Sequence, residues 1–120
     1  MILVTGGAGY IGSHVNKELH RRRYQTIIYD NLIYGHPESV RQGILEIGDM
    51  ADEMRLEEIF TKYPIDAVMH FAAYAYVGES VKKPAEYYIN NICNTIHLLE
   101  AMRRHHVNIL LFSSRCETYG

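Results

Sequence analysis

Only two cysteines occur in the 120 residues, Cys93 and Cys116, and they form neither a disulfide framework nor a CxxC metal or redox motif. A reducing compartment is the natural setting. No apolar run approaches the ~20 residues that a membrane span requires. The first residues enter an apolar strand pattern directly, without the basic stretch and small-residue cleavage site of an export signal. Net charge is also scarce: at -2, the chain offers no electrostatic case for nucleic acid or for an anionic membrane. The seven histidines show no paired metal-ligand spacing on a single element, so no metal is expected. Length allows one domain at most, residues 1–120, and is short for a complete nucleotide-dependent enzyme. Hydrophobic residues at 48% and charged residues at 22% fit a globular α/β protein rather than a disordered one. Together these features predict a soluble, cytoplasmic chain, not exported by its own sequence, with no nucleic-acid or membrane partner.

Glycine is what the N-terminal stretch does have. Ile2-Leu3-Val4 is an unbroken apolar run, as expected of a strand buried on both faces of a parallel sheet. Gly6, Gly9 and Gly12 follow at three-residue spacing, then a helical pattern, then a second apolar run, Thr26-Ile27-Ile28-Tyr29, ending on Asp30. Strand, glycine turn, helix, strand and acid is the layout of a dinucleotide-binding βαβ unit. Gly6 lets the chain turn off the strand, Gly9 lets the backbone approach a pyrophosphate, and Gly12 lets the helix lie close to the sheet. Amides at the helix N-terminus would hold the phosphates. Asp30 stands where an acid meets the adenosine ribose 2′-hydroxyl and would repel the extra phosphate of NADP, which makes NAD the expected cofactor.

Along the rest of the chain, strand and helix patterns alternate. Residues 10–23 are helical, with Ile11, Val15 and Leu19 facing the sheet, and Arg21-Arg22-Arg23 meeting the helix dipole at its C-terminus. Residues 31–37 form a loop where ligands of open α/β sheets bind. Ile44-Leu45-Glu46-Ile47 reads as a third strand, and Asp49 beyond it suits both a cap of the next helix and a contact with adenine. Residues 53–63 are helical, with Leu56, Ile59 and Phe60 apolar and Pro64 marking the end. Ala67-Val68-Met69-His70-Phe71 is a fourth strand, with His70 read as a core histidine rather than a ligand, and Ala72-Ala73 leave room for a cofactor across the sheet edge. A long helix extends to about residue 106, its apolar stripe made of Tyr88, Ile89, Ile92, Cys93, Ile96, Leu99 and Met102. Within it Asn90 has two open readings, a solvated face or a hydrogen bond to the cofactor or a neighbouring strand end. Ile109-Leu110-Leu111-Phe112 is a fifth strand. The expected fold class is α/β, a Rossmann-like doubly wound parallel sheet of about five strands in the order 3-2-1-4-5. Its cofactor would lie at the switch between strands 1 and 4.

Several blocks carry a family resemblance. Thr5-Gly6-Gly7-Ala8-Gly9-Tyr10-Ile11-Gly12-Ser13-His14, Asp30-Asn31-Leu32, His70-Phe71-Ala72-Ala73, Val77-Gly78-Glu79-Ser80, Tyr87-Tyr88 with Asn90-Asn91, and Phe112-Ser113-Ser114 with Tyr119-Gly120 follow one another with family-like spacing. Over its whole length the chain resembles the UDP-glucose 4-epimerases of the extended short-chain dehydrogenase/reductase superfamily. That resemblance implies a tightly bound NAD+ that takes hydride from C4 of the sugar in UDP-glucose or UDP-galactose. The 4-keto sugar rotates, and the hydride returns to its other face. It also implies cofactor contacts at Gly6, Gly9, Tyr10, Ile11, Gly12, Asp30, Asn31, Asp49, Met50, Phe71, Ala72, Ala73 and Asn90. The family acts as a homodimer formed through a helix at the place of the long helix here.

Two departures qualify this. In the family, a tyrosine of a YxxxK motif is the general base and its lysine lowers the tyrosine pKa. No tyrosine of this chain has a lysine four residues on, and the motif is expected beyond Gly120. The family's catalytic serine or threonine corresponds to Arg115, which cannot share a proton with a substrate hydroxyl and would crowd the nicotinamide site. The expectation is therefore an incomplete N-terminal NAD-binding domain, without the sugar-binding C-terminal part and without a catalytic residue of its own. It would be inactive alone and would associate through an unpaired fifth strand or through the long helix. Two alternatives stand beside it: a non-catalytic NAD-binding module, and the N-terminal part of another nucleotide-sugar epimerase or dehydratase.

Overall fold

A computed structural model describes residues 1–6, 10–32, 42–71 and 84–112, with the backbone alone for residues 10, 11, 84–91 and 112. Five short strands carry the fold: β1 (Ile2–Thr5), β2 (Thr26–Asp30), β3 (Ile44–Ile47), β4 (Ala67–His70) and β5 (Ile109–Phe112). Three helices connect them: α1 (Tyr10–Arg21), α2 (Glu53–Lys62) and α3 (Pro84–Arg104). All strand pairs are parallel, and their order is β3-β2-β1-β4-β5, as the alternation of patterns predicts. The chain runs outward from β1 to β3, then returns to the far side of β1 for β4. Its register sets Thr5 beside both Tyr29 and His70, so the carboxyl ends of the three central strands finish level.

Burial follows strand position. Leu3, Val4, Ile27, Ile28 and Val68 are fully buried, because β1, β2 and β4 have neighbours on both sides and cover on both faces. The edges differ: Ile47 on β3 and both Ile109 and Leu111 on β5 are more than half exposed. Strand β3 is tied down by Glu46, which accepts from Arg55 Nη2 at 2.6 Å, Lys62 Nζ at 3.2 Å and the Tyr63 hydroxyl at 2.5 Å. That hydroxyl first, then the two cations, brings the Glu46 carboxyl down to about 2.

Three helix expectations need correction. On α1, Val15 and Leu19 are only partly buried, and Asn16 is buried with Gly12 one turn earlier. Asn16 can go in because its amide is satisfied: Nδ2 donates to Gln42 O at 2.9 Å, and Oδ1 accepts from Thr26 Oγ1 at 2.5 Å. At the start of α2 the cap is Asp52, whose side chain accepts from Arg55 N at 3.0 Å. Asp49 lies too far ahead of Glu53 for that and closes a tighter turn, its Oδ1 accepting from Ala51 N at 2.9 Å. Among the described side chains of α3, Leu98, Ala101 and Met102 are buried, whereas Ile92, Cys93, Ile96 and Leu99 are exposed, so of the predicted stripe Met102 goes in, those four do not, and the side chains of Tyr88 and Ile89 lie outside the description. Periodicity locates an apolar face without saying whether anything covers it.

Other expectations match. Leu56, Ile59 and Phe60 are the buried positions of α2. Arg21 and Arg22 do lie at the end of α1, and both also pair with Glu18, at 2.9 and 3.1 Å. Helices α2 and α3 share the core cluster and are bridged by His97–Glu53 at 3.0 Å, His105–Glu57 at 2.6 Å and Arg104–Glu57 at 3.0 Å. No helix among the described residues is long and apolar enough to cross a membrane.

Candidate cofactor site

The carboxyl ends of β1, β2 and β3 bring together most of the described residues singled out from the sequence. Gly6 leaves β1 at φ 74°, a left-handed conformation that glycine adopts without the cost a Cβ brings. Its amide donates to Tyr29 O at 2.8 Å, so the first residue past the strand is still held by β2. The backbone then enters α1 at Tyr10 and Ile11. Gly12 is buried, as a helix packed tightly on the sheet requires.

Asp30 closes β2 and is nearly buried. Its Oδ1 accepts from Leu32 N at 2.7 Å, closing an Asx turn, with Leu32 at φ 64°. Asn31, between them, is exposed. A carboxylate accepts several hydrogen bonds at once, so holding Leu32 is compatible with receiving a sugar hydroxyl. Beside it, the turn after β3 is joined to β2 twice: Gly48 N donates to Asp30 O at 3.1 Å, and the Tyr29 hydroxyl donates to Asp49 O at 2.6 Å. Asp49 is exposed, while Met50 is buried in the core cluster.

At the switch between β1 and β4, Thr5 Oγ1 and His70 Nδ1 lie 2.5 Å apart. Both residues are buried, which matches the reading of His70 as a core histidine. Burial lowers the imidazole to about 4, so it is neutral near pH 7 and serves as a fixed partner for the threonine. Phe71 N donates to Thr5 O at 2.8 Å, continuing the ladder past the end of β4, and Phe71 is half-buried there.

Gly9, Ala72 and Ala73 lie outside the described residues, as do Val77-Gly78-Glu79-Ser80 and Arg115. Asn90 falls within α3, but its side chain is outside the description, so neither reading of it is decided. Sequence reasoning missed Tyr29, Gly48, Asn16 and the Thr5–His70 pair. Their signal is faint: a tyrosine inside an isoleucine run, and an asparagine one turn after a glycine. Among the described residues no group of acidic, histidine or cysteine side chains could hold a metal ion. The arrangement suits a dinucleotide: a glycine turn into a helix N-terminus for phosphates, a carboxylate for a ribose hydroxyl, and a neighbouring turn for a base.

Comparison with known proteins agrees with this geometry. The model of the NAD dependent epimerase/dehydratase family matches residues 2–120. A UDP-glucose 4-epimerase of Rhizobium meliloti (strain 1021) is 50% identical over 119 residues, covering 99% of this chain and 36% of the relative. A putative UDP-arabinose 4-epimerase of Arabidopsis thaliana is 48% identical over 129 residues, covering 99% of this chain and 30% of the relative. The crystal structure of UDP-glucose 4-epimerase from Brucella ovis in complex with NAD superposes with a TM-score of 0.90 at 51% identity, covering 99% of this chain and 37% of that one. The chain thus spans about a third of the length of the curated relatives it matches.

Proposed function

The chain belongs to the NAD dependent epimerase/dehydratase family, and on that premise we propose that residues 1–120 are the NAD-binding portion of a UDP-glucose/UDP-galactose 4-epimerase. The observation that carries this reading is the alignment of Gly6, Asp30 and the Asp49 turn along one end of a 3-2-1-4-5 sheet. Gly6 turns the chain toward the α1 amides that face the pyrophosphate. Asp30 receives the adenosine ribose and disfavours a 2′-phosphate, and Asp49 with the backbone of Met50 lies at the adenine. Gly9, Tyr10, Ile11, Gly12, Asn31, Phe71, Ala72, Ala73 and Asn90 complete the proposed contacts. When bound, NAD+ would supply the hydride acceptor and donor for C4 of a UDP-sugar; on this reading the complete activity belongs to galactose metabolism, in the cytoplasm.

The 120-residue chain by itself binds NAD+ without turnover on this reading. None of its tyrosines has a lysine four positions on, and Arg115 occupies the place of the hydroxyl-bearing residue. It associates with a second copy through the exposed Ile92, Ile96 and Leu99 of α3 or through the β5 edge, where Ile109 and Leu111 are exposed. Identity of 48% to a UDP-arabinose 4-epimerase favours one further reading, in which the UDP-sugar is a pentose.

Titration calorimetry of the chain with NAD+ and with NADP+ tests the cofactor reading: saturable, tighter binding of NAD+ is expected, and tighter binding of NADP+ refutes the role of Asp30. A coupled assay of UDP-galactose conversion tests the rest. No rate above background is expected, and turnover would refute the proposed inactivity.

A further inference from the structure

We propose that Tyr29 is the positioning residue of the adenosine end of this site: its phenol fixes the turn at residues 48–50 relative to Asp30 and so sets the fit to the adenine ring. The inference rests on the NAD-binding reading and adds a residue to it.

Tyr29 immediately precedes Asp30 on β2, and alternation along a strand sends the two side chains to opposite faces. Its ring is buried in the core cluster with Met50, Leu56 and Ile59. From there the hydroxyl reaches the next strand's turn and donates to Asp49 O at 2.6 Å. Gly48 lies against the same ring. A Cβ built on it would stand 2.5 Å from the phenol oxygen, 2.6 Å from Cε1 and 2.7 Å from Cζ, closer than any side-chain-bearing residue tolerates. The backbone therefore lies on the ring edge at a distance that only glycine permits. Gly48 N, meanwhile, donates to Asp30 O at 3.1 Å.

Two consecutive residues of β2 thus hold two consecutive residues of the turn: Asp30 through its carbonyl and Tyr29 through its hydroxyl. The ribose and adenine contacts are separated by this one connection. Burial pushes the Tyr29 phenol well above its ordinary range, so it stays protonated and a donor throughout the physiological range.

The test is Tyr29→Phe, which keeps the ring in the core and removes only the donor. Calorimetric titrations would compare NAD+ with nicotinamide hypoxanthine dinucleotide, which differs from it in the purine alone. Binding of NAD+ is expected to weaken about fivefold, the scale of one hydrogen bond, and binding of the hypoxanthine analogue less than about twofold. The preference for adenine then narrows. A purely structural role would lower the melting temperature and weaken both ligands equally, and that outcome, like unchanged affinity for NAD+, overturns the proposal. Lack of NAD+ binding by the unaltered chain overturns the site reading itself and this inference with it. An unchanged preference in Tyr29→Phe, with the unaltered chain binding NAD+, overturns this inference alone.

Discussion

The carboxyl ends of β1, β2 and β4 and the exposed faces of α3 and β5 depart from ordinary burial in opposite ways. At the first, polar groups are inside: Thr5, Asp30 and His70 are buried, and each has a hydrogen-bond partner. At the second, apolar groups are outside: Ile92, Ile96, Leu99, Ile109 and Leu111 are each 45% exposed or more. Both departures cost free energy unless something offsets them, and the offsets differ in kind. Paired polar groups are satisfied within the chain and define geometry. Exposed apolar faces are satisfied only by another surface. On the proposed reading the first region is a preformed site and the second a place of contact.

The contrast is sharpest within α3. Leu98→Ala removes a fully buried side chain from the cluster shared with α2 and is expected to cost about 3 kcal/mol in urea unfolding. Leu99→Ala, the adjacent residue on the exposed stripe, is expected to change stability by less than about 0.5 kcal/mol. Equal effects would erase the distinction between a covered and an uncovered face.

Acid probes the polar region. His70 is lowered by burial to about 4 from 6.5. Below pH 6.5 the unfolded chain takes up a proton that the folded chain refuses. The His70 contribution to stability is therefore complete above pH 6.5, shrinks as pH falls, and is gone near pH 4. The total amounts to about 3 kcal/mol. Glu46 acts lower: its carboxyl, brought down to about 2 from 4.5 chiefly by the Tyr63 hydroxyl, loses its contribution as pH falls below 4.5. The window between pH 6.5 and 4.5 consequently separates the loss at His70 from that at Glu46. Unfolding curves across it should steepen for the unaltered chain and flatten for His70→Gln. A slope unaffected by the substitution would show that the imidazole is not held neutral.

Asn16→Ala is the milder test of a second buried polar group, at the amino end of β2. It leaves Gln42 O and Thr26 Oγ1 without their amide partner and is expected to cost about 2 kcal/mol. Asn16→Asp, which keeps the acceptor for Thr26 but sets a buried carboxylate against Gln42 O, is expected to cost more than the alanine variant. Indifference to both variants would make the buried amide incidental.

These residues also mark where sequence reading succeeds and where it stops. The strands β1 and β2 are legible because an apolar run can be buried on both faces only in the middle of a parallel sheet. Their order follows from the chain's alternation of strand and helix and from right-handed crossovers. Gly6 and Asp30 are legible because their roles depend on their own conformation and position. Asn16 is not, since what makes it a core residue is Thr26 and Gln42, which come near only after folding. Tyr29 reads as one more apolar residue until its hydroxyl is seen on Asp49. On α2, two aspartates precede the helix, and only the chain's path shows that Asp52 caps it and Asp49 does not. The exposed stripe of α3 misleads for a further reason: periodicity records amphipathicity, whereas burial depends on the neighbour.

Hydrogen–deuterium exchange with and without saturating NAD+ bears most directly on the division between a preformed cofactor site and a contact flank. Added protection is expected at the amides of Gly6, Leu32, Gly48 and Ala51, with none at Ile92, Ile96 and Leu99. Protection confined to α3, or no change at the ends of β1, β2 and β3, would contradict it.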